Sequence, residues 1–501
     1  MELLDSLGLG FAVALKPINL AYCFAGVFVG TLIGVLPGIG PVAAMSLLLP
    51  ASFAMPPESA IILMAGVYYG SMYGGSTTAI LVNIPGEAAS VVTCLDGYQM
   101  ARQGRAGPAL GIAAMGSFIA GTAAVVGLML VAPWLARFAL RFGPAEYFSL
   151  MVLGLSILAY LSHGSLTKAL IMAAVGVVLG LVGLDSITAV PRLTFDRMEL
   201  VDGLGLVPIV MGLFGVAEIL VNLEQEMRRE VFGRRIAGLW PGRDDWRRSA
   251  GPLARGSVLG FLLGILPGGG AVISSFLSYG IEKRLSRTPE RFGKGAIEGV
   301  AGPEAANNAA AGGGFIPLMT LGIPPNVVMA LLLGAFVVHG LQPGPLLMTQ
   351  NPAIFWGIVA SMYLGNLMLL VLNLPLIGIW VRLLEVPYRV LFPMILMFCV
   401  VGVYTASGAV FDVWVMIGFG VLGWLMRRFG YEPAPLVLAF VLGPMLENNL
   451  RKALLLAQGD FTTFVERPIS AVCLGLAALL LLSPLVPRMG ARRRAIALEQ
   501  S

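Results

Sequence analysis

The sequence predicts an all-α polytopic membrane protein made of two inverted-topology repeats plus one C-terminal helix. Each repeat is expected to hold a re-entrant hairpin, a broken helix and four or so further spans, for a total of about eleven spans and two hairpins. Four observations lead there. Apolar residues make up 57% of the 501-residue chain and charged residues 12%, with a mean hydropathy of +0.87. Charge-free stretches of about 20 residues recur, enough to cross a hydrocarbon core. A glycine-proline break set in an apolar run occurs twice: Gly30-Thr-Leu-Ile-Gly-Val-Leu-Pro-Gly38 and Gly260-Phe-Leu-Leu-Gly-Ile-Leu-Pro-Gly268. Finally, equivalent loops of the two copies differ in charge.

In chain order, residues 1–17 form an amphipathic lead-in ending at Lys16-Pro17. The first repeat, 1–221, opens with a hairpin over 18–53. Proline cannot donate to the helix ladder and glycine frees the backbone, so Pro37-Gly38 should interrupt it. A broken helix over 59–83 follows, interrupted at Tyr73-Gly74-Gly75-Ser76-Thr77-Thr78 and ending at Ile84-Pro85-Gly86. Spans then run near 109–133, 145–161, 166–184 and 205–221. The stretch 222–255 is rich in arginine (228, 229, 234, 235, 243, 247, 248 and 255) and is expected to be a cytoplasmic linker.

The second repeat, 256–456, repeats the plan with a hairpin over 257–281 and a broken helix over 302–338, whose start, 302–314, is polar and glycine-rich. Its spans lie near 352–374, 390–408, 411–426 and 433–447. An extra C-terminal segment, 457–501, carries a helix at 468–487 and a tail with Arg488, Arg492, Arg493 and Arg494. Gly75…Ile84-Pro85 aligns with Gly314…Ile323-Pro324 at identical spacing, which argues for duplication.

Charge sets the relation between the copies. The loop with Arg102 and Arg105 is basic, whereas its counterpart, 339–351, has no Lys, Arg, Asp or Glu. The linker after the first hairpin is uncharged, and the one after the second holds Lys283, Arg284, Arg287, Arg291 and Lys294. Equivalent loops thus fall on opposite sides, as in inverted repeats. The N-terminus should be periplasmic and the C-terminus cytoplasmic, and no removable signal peptide is expected.

In such a pair, the hairpin tips and broken helices converge near the midplane. Short helices beginning after Gly40, Gly75, Gly270 and Gly314 would present unpaired N–H groups and partial positive charge. The expected substrate contacts are Pro37, Gly38, Gly40, Ser76, Thr77, Thr78, Asn83, Gly268, Gly269, Gly270, Asn307, Asn308 and Thr320, an anion-binding set without lysine or arginine. The carbonyls and hydroxyls near Gly38, Gly75, Thr78, Gly268, Asn308 and Gly314 suit a hard cation such as sodium. Small residues also mediate helix packing, and the Asn307-Asn308 pair could instead cap a helix. Glu304 reads either as a cation ligand or as a surface charge. Glu218 and Glu447 read as interfacial ion pairs.

Four scattered cysteines form no metal or disulfide pattern, and His163 and His339 fall in loops. No phosphate loop, HExxH or GxSxG motif occurs, so ATP-driven and common hydrolytic chemistries are not expected, and no catalytic residue or cofactor is assigned. The net charge of +5 follows loop arginines rather than a nucleic-acid partner.

Gly34-Val-Leu-Pro-Gly-Ile-Gly-Pro41, Leu95-Asp-Gly-Tyr-Gln-Met-Ala-Arg-Gln-Gly104 and Pro303-Glu-Ala-Ala-Asn-Asn-Ala309 resemble the large membrane subunit of the tripartite tricarboxylate transporter family, the TctA type. The likeness extends over nearly the whole chain. It implies a bacterial inner-membrane secondary transporter importing carboxylates on a sodium or proton gradient. It further implies a periplasmic solute-binding protein and a small membrane subunit as partners, beside membrane lipid, with a homo-oligomer left open. The expected motion is of elevator type. The alternatives are a passive channel, a scaffold subunit, or an intramembrane enzyme.

Overall fold

The computed structural model describes residues 3–36, 40–161, 165–224, 238–266, 270–384 and 388–483. Helix α1 (Leu3–Ala14) leads into α2 (Pro17–Val35), α3 (Gly40–Ser52) and α4 (Pro57–Val82). Pro17 and Pro57 open their helices, where a missing N–H is harmless and the fixed φ suits the first turn. Helices α2 and α4 touch backbone to backbone. A Cβ on Gly26, Gly30 or Gly34 would strike Leu63 and Gly66, Val67 and Gly70, or Ser71 and Gly74. Glycines four apart line one face of each helix, and the rising numbers on both make the pair parallel. The chain between them must therefore travel back, and α3 makes that return. Thr78 Oγ1 donates to the carbonyl of Val35 at 2.7 Å and ties the end of α2 to α4.

The expected interruption of the first broken helix at 73–78 does not occur. Helix α4 runs unbroken to Val82, because its glycines serve close contact with α2 rather than backbone freedom. The break falls later, where Asn83 takes a left-handed φ of 59° and Ile84-Pro85-Gly86 follows. A helical segment, α5 (88–102), resumes the path and contains a π-turn at Cys94–Tyr98.

Helices α6 (Ala106–Ala139), α7 (Pro144–Leu161), α8 (Leu166–Gly180) and α9 (Leu206–Glu224) stand where four spans are expected next, and of these α6 and α9 are long and apolar enough to cross. A two-stranded antiparallel ribbon, Gly183–Leu184 with Pro191–Arg192, lies between α8 and α9.

The second half begins with α10 (Arg243–Ile265), so the expected boundary at 255–256 falls inside a continuous helix. Next come α11 (Gly270–Leu285), α12 (Glu298–Gly313), α13 (Phe315–Leu321) and α14 (Val327–Val338). The packing of α2 on α4 recurs here. A Cβ on Gly256, Gly260 or Gly264 would strike the backbone of Gly302, Ala306 or Ala310, again in parallel order. The polar stretch 302–314 is accordingly helical rather than open. The break lies at 322–326, where Gly322 has a left-handed φ of 71°.

Helices α15 (Pro352–Asn373), α16 (Ile377–Leu383), α17 (Tyr388–Ser407), α18 (Val410–Arg428), α19 (Pro433–Leu456) and α20 (Pro468–Leu482) complete the chain. Of these, α16 was not foreseen. By length and composition, α2, α6, α9, α15 and α18 can each cross a membrane. Ion pairs fasten the helix ends. Arg105 meets Asp245 at 2.5 Å and Arg248 meets Glu298 at 3.5 Å. Glu447 pairs with Arg192 at 2.8 Å and with Arg451, and Glu218 pairs with Arg427, as expected for both glutamates. Both hairpin tips (Pro37, Gly38, Pro267, Gly268 and Gly269), His163, the arginines 228–235 and those of the tail lie outside the described residues.

Replacing Gly30 with Leu should force α2 and α4 apart and lower stability by roughly 2 kcal/mol or more. Gly8→Ala, whose Cβ meets nothing within 4 Å, should leave the melting temperature of the detergent-purified protein unchanged.

Candidate functional site

The two helix breaks share one layout. Asn83-Ile-Pro-Gly-Glu87 and Gly322-Ile-Pro-Pro-Asn326 each run from a left-handed residue to an extended N-cap. Glu87 accepts the backbone N–H of Ala89 at 2.5 Å, and Asn326 Oδ1 accepts that of Met329 at 2.9 Å. Such caps satisfy helix N–H groups that otherwise lack partners. Each cap also reaches across to the other half. Asn307 Nδ2 donates to Glu87 Oε1 at 3.0 Å, and Asn326 Nδ2 donates to Tyr68 Oη at 3.3 Å. Counted from Gly75 and Gly314, Glu87 is equivalent to Asn326 and Tyr68 to Asn307. The halves thus exchange equivalent contacts, the pattern of a two-fold interface.

A second cluster lies one turn away on α12. Glu304, Asn307 and Asn308 share a face by their i, i+3, i+4 spacing. Glu304 is 0% exposed. Ser76 Oγ donates to its Oε2 at 2.5 Å, and Thr93 Oγ1 donates to its Oε1. Asn308 Nδ2 donates to Ser117 Oγ at 2.7 Å and to the Glu304 carbonyl at 3.0 Å. The Oδ1 atoms of Asn307 and Asn308 are buried and unpartnered. Beside this cluster, Tyr73, Ser76, Thr77, Ser117 and Asn373 line a small cavity with Leu110, Ala113 and Ala114. No lysine or arginine lines it.

The expected contact residues divide accordingly. Ser76, Thr77, Asn307 and Asn308 converge. Gly75 makes room for Glu87, since a Cβ there would come within 3.0 Å of the Glu87 Cγ. Thr78 is bound to the Val35 carbonyl, and Thr320 bonds back to Ile316 at 2.7 Å within its own helix. Asn83 is exposed and ends α4. Gly40 and Gly270 begin α3 and α11, as expected of helix starts. No helix begins after Gly75, which is inside α4, whereas α13 does begin after Gly314, which itself keeps right-handed helical angles at the junction with α12. Glu304 is interior, which removes its surface reading.

Sequence reasoning missed Glu87, Thr93, Ser117 and Asp96. Glu87 had a signal, because extending the repeat alignment just past Pro85 and Pro324 pairs it with Asn326. Asp96, on the π-turn, is fully buried. Its Oδ1 accepts the N–H groups of Gly293, Gly295 and Ala296 at 2.9, 2.7 and 2.8 Å, and its Oδ2 accepts Tyr279 Oη at 3.0 Å. One carboxylate therefore anchors the chain that leads into α12.

Paired helix breaks around a buried acid-and-amide cluster mark an integral membrane protein that builds a polar site from discontinuous helices. The chain belongs to the tripartite tricarboxylate transporter TctA family, which matches residues 20–438. That family supplies the large membrane subunit of such systems. Two similar proteins come from Agrobacterium vitis. One, described as an uncharacterized 52.8 kDa protein in the TAR-I ttuC' 3'region, is 53% identical over 500 residues, covering 100% of both chains. The other, described as an uncharacterized protein in the TAR-II ttuC' 3'region, is 55% identical over 240 residues, 48% of this chain and 99% of its own length. No solved structure matches the chain.

Replacing Asp96 with Ala should lower stability by roughly 3 kcal/mol, because buried N–H groups lose a charged acceptor. Asp96→Asn, which keeps one acceptor oxygen, should lose less. Thermal melts of the purified protein measure both.

Proposed function

We propose that this chain is the permease subunit of a tripartite, binding-protein-dependent transporter that imports carboxylates across the bacterial inner membrane. A sodium or proton gradient drives it. A periplasmic solute-binding protein delivers the substrate, and a small membrane subunit completes the complex. Membership in the TctA family carries this reading, and the reciprocal contacts between the two helix breaks support it.

The two halves act as inverted repeats. Loops at equivalent positions differ in charge, and the glycine-packed pair α2–α4 recurs as α10–α12. The hairpins α2–α3 and α10–α11 each enter and leave on their own side. A substrate carboxylate takes hydrogen bonds from the Thr77 hydroxyl and the second Nδ2 hydrogen of Asn307, and from the N-termini of α3 and α11. Such donors bind an anion without trapping it as lysine or arginine would. The hairpin-bearing helices then move as a body against the remaining spans, an elevator-type motion.

Vesicles holding this subunit with both partners should accumulate a carboxylate above its external concentration only under an imposed ion gradient. Asn307→Ala should reduce initial uptake by at least about tenfold, as expected when a buried polar group loses its partner. Equilibration without accumulation would identify a passive pore instead.

A further inference from the structure

We infer that the face of α12 bearing Glu304, Asn307 and Asn308 holds a sodium ion, with Glu304 supplying the countercharge. The inference deepens the transport reading and rests on it only in treating this ion as the coupling ion.

Charge is the first consideration. Glu304 and Glu87 are 0% and 8% exposed and are linked through one turn of α12, because Asn307 hydrogen-bonds Glu87. The partners that hold the two carboxylates are neutral: Ser76, Thr93, Asn307 and the backbone of Ala89. Carboxylates buried within a membrane protein need a compensating positive charge, a proton or a bound cation.

The amide oxygens decide between these two. Asn307 Oδ1 and Asn308 Oδ1 are buried and accept no hydrogen bond, although both amides are held in place through Nδ2. A proton on Glu304 would neutralise one carboxylate but leave both oxygens unpaired, at a penalty for each. A hard cation uses them as ligands together with the carboxylate and the hydroxyl oxygens of Ser76, Thr93 and Ser117. This set is all oxygen, with no thiol or imidazole, which suits sodium rather than a transition metal. The charge is also one-sided. The positions equivalent to Glu87 and Glu304 in the other half are Asn326 and Ala65, so the structure assigns one such site per chain rather than two.

Binding can be read without transport. The detergent-purified full chain, without substrate or partners, is melted across a sodium chloride series at constant ionic strength, with choline chloride as the balancing salt. The expected result is a saturable rise in melting temperature that potassium does not reproduce. Glu304→Gln and Asn308→Ala should each raise the half-saturating sodium concentration by at least about tenfold, as lost ligands do. Should Glu304→Gln fail to fold, Thr93→Val and Asn307→Ala carry the same expectation. Ser149→Ala, a buried hydroxyl paired with Ser470 elsewhere in the bundle, should leave the response unchanged.

A flat sodium response in the wild-type protein overturns the inference, as does a response that these variants leave intact. Stabilisation that follows pH alone also overturns it and assigns the charge to a proton. Uptake by an unresponsive protein would reject this site and leave transport standing. Sodium binding by a protein that transports nothing would do the reverse.

Discussion

Much of the structure depends on two helices lying so close that no side chain fits between them. In each half, the first arm of a hairpin packs in parallel on the following long helix, over glycines or alanines four residues apart. In lipid, where the hydrophobic effect gives little drive between helices, close backbone contact is a main source of attraction. Parallel neighbours close in sequence cannot be joined by a short loop. The return helix follows from this, and with it a chain reversal inside the bundle. The contact that holds each hairpin's first arm to its long helix thus also requires the chain to double back within the same half.

Those breaks could not persist as loose ends. Each is closed by a left-handed residue, an Ile-Pro pair and an extended N-cap, and each cap is held by a side chain from the opposite half. Each cap side chain satisfies a backbone N–H of its own break, and the opposite half holds that side chain in place. Asp96 adds a further tie, fixing the approach to the helix that carries Glu304, Asn307 and Asn308. The polar cluster is therefore held from three directions, through α4, α5 and α6, and its positions follow from those of the helices.

Much of this was legible in the sequence. The helices of the first half, the recurrence of a glycine-packed helix pair, and the nearness of Ser76, Asn307 and Asn308 to one buried cluster were readable from hydropathy, motif spacing and residue type. The positions of the breaks were misread because glycine has two uses, freeing the backbone and letting another backbone approach. Gly74 and Gly75 read as the first, yet Gly74 serves the second. The distinguishing sign was the matching row Gly26, Gly30 and Gly34 on the partner helix. Glu87 was overlooked because an acid after Pro-Gly resembles a surface loop. Its contact with Asn307, a long-range pairing with no local pattern, helps to mark it as interior. Asp96 was quoted within a motif without a role, because its acceptors are used by backbone groups far along the chain.

Glu87 and Asn326 occupy matching caps but differ in one functional group, carboxylate against amide. Two halves with identical caps could trade places with no change in energy, and the molecule would rest equally in either arrangement. An ionisable group on one side alone lifts that degeneracy. Any two arrangements that exchange the caps would then differ in energy, and neutralising the acid would change that difference. Divergence at this cap, like that of Glu304 from Ala65, makes the halves of a duplicated chain inequivalent without any change to its scaffold.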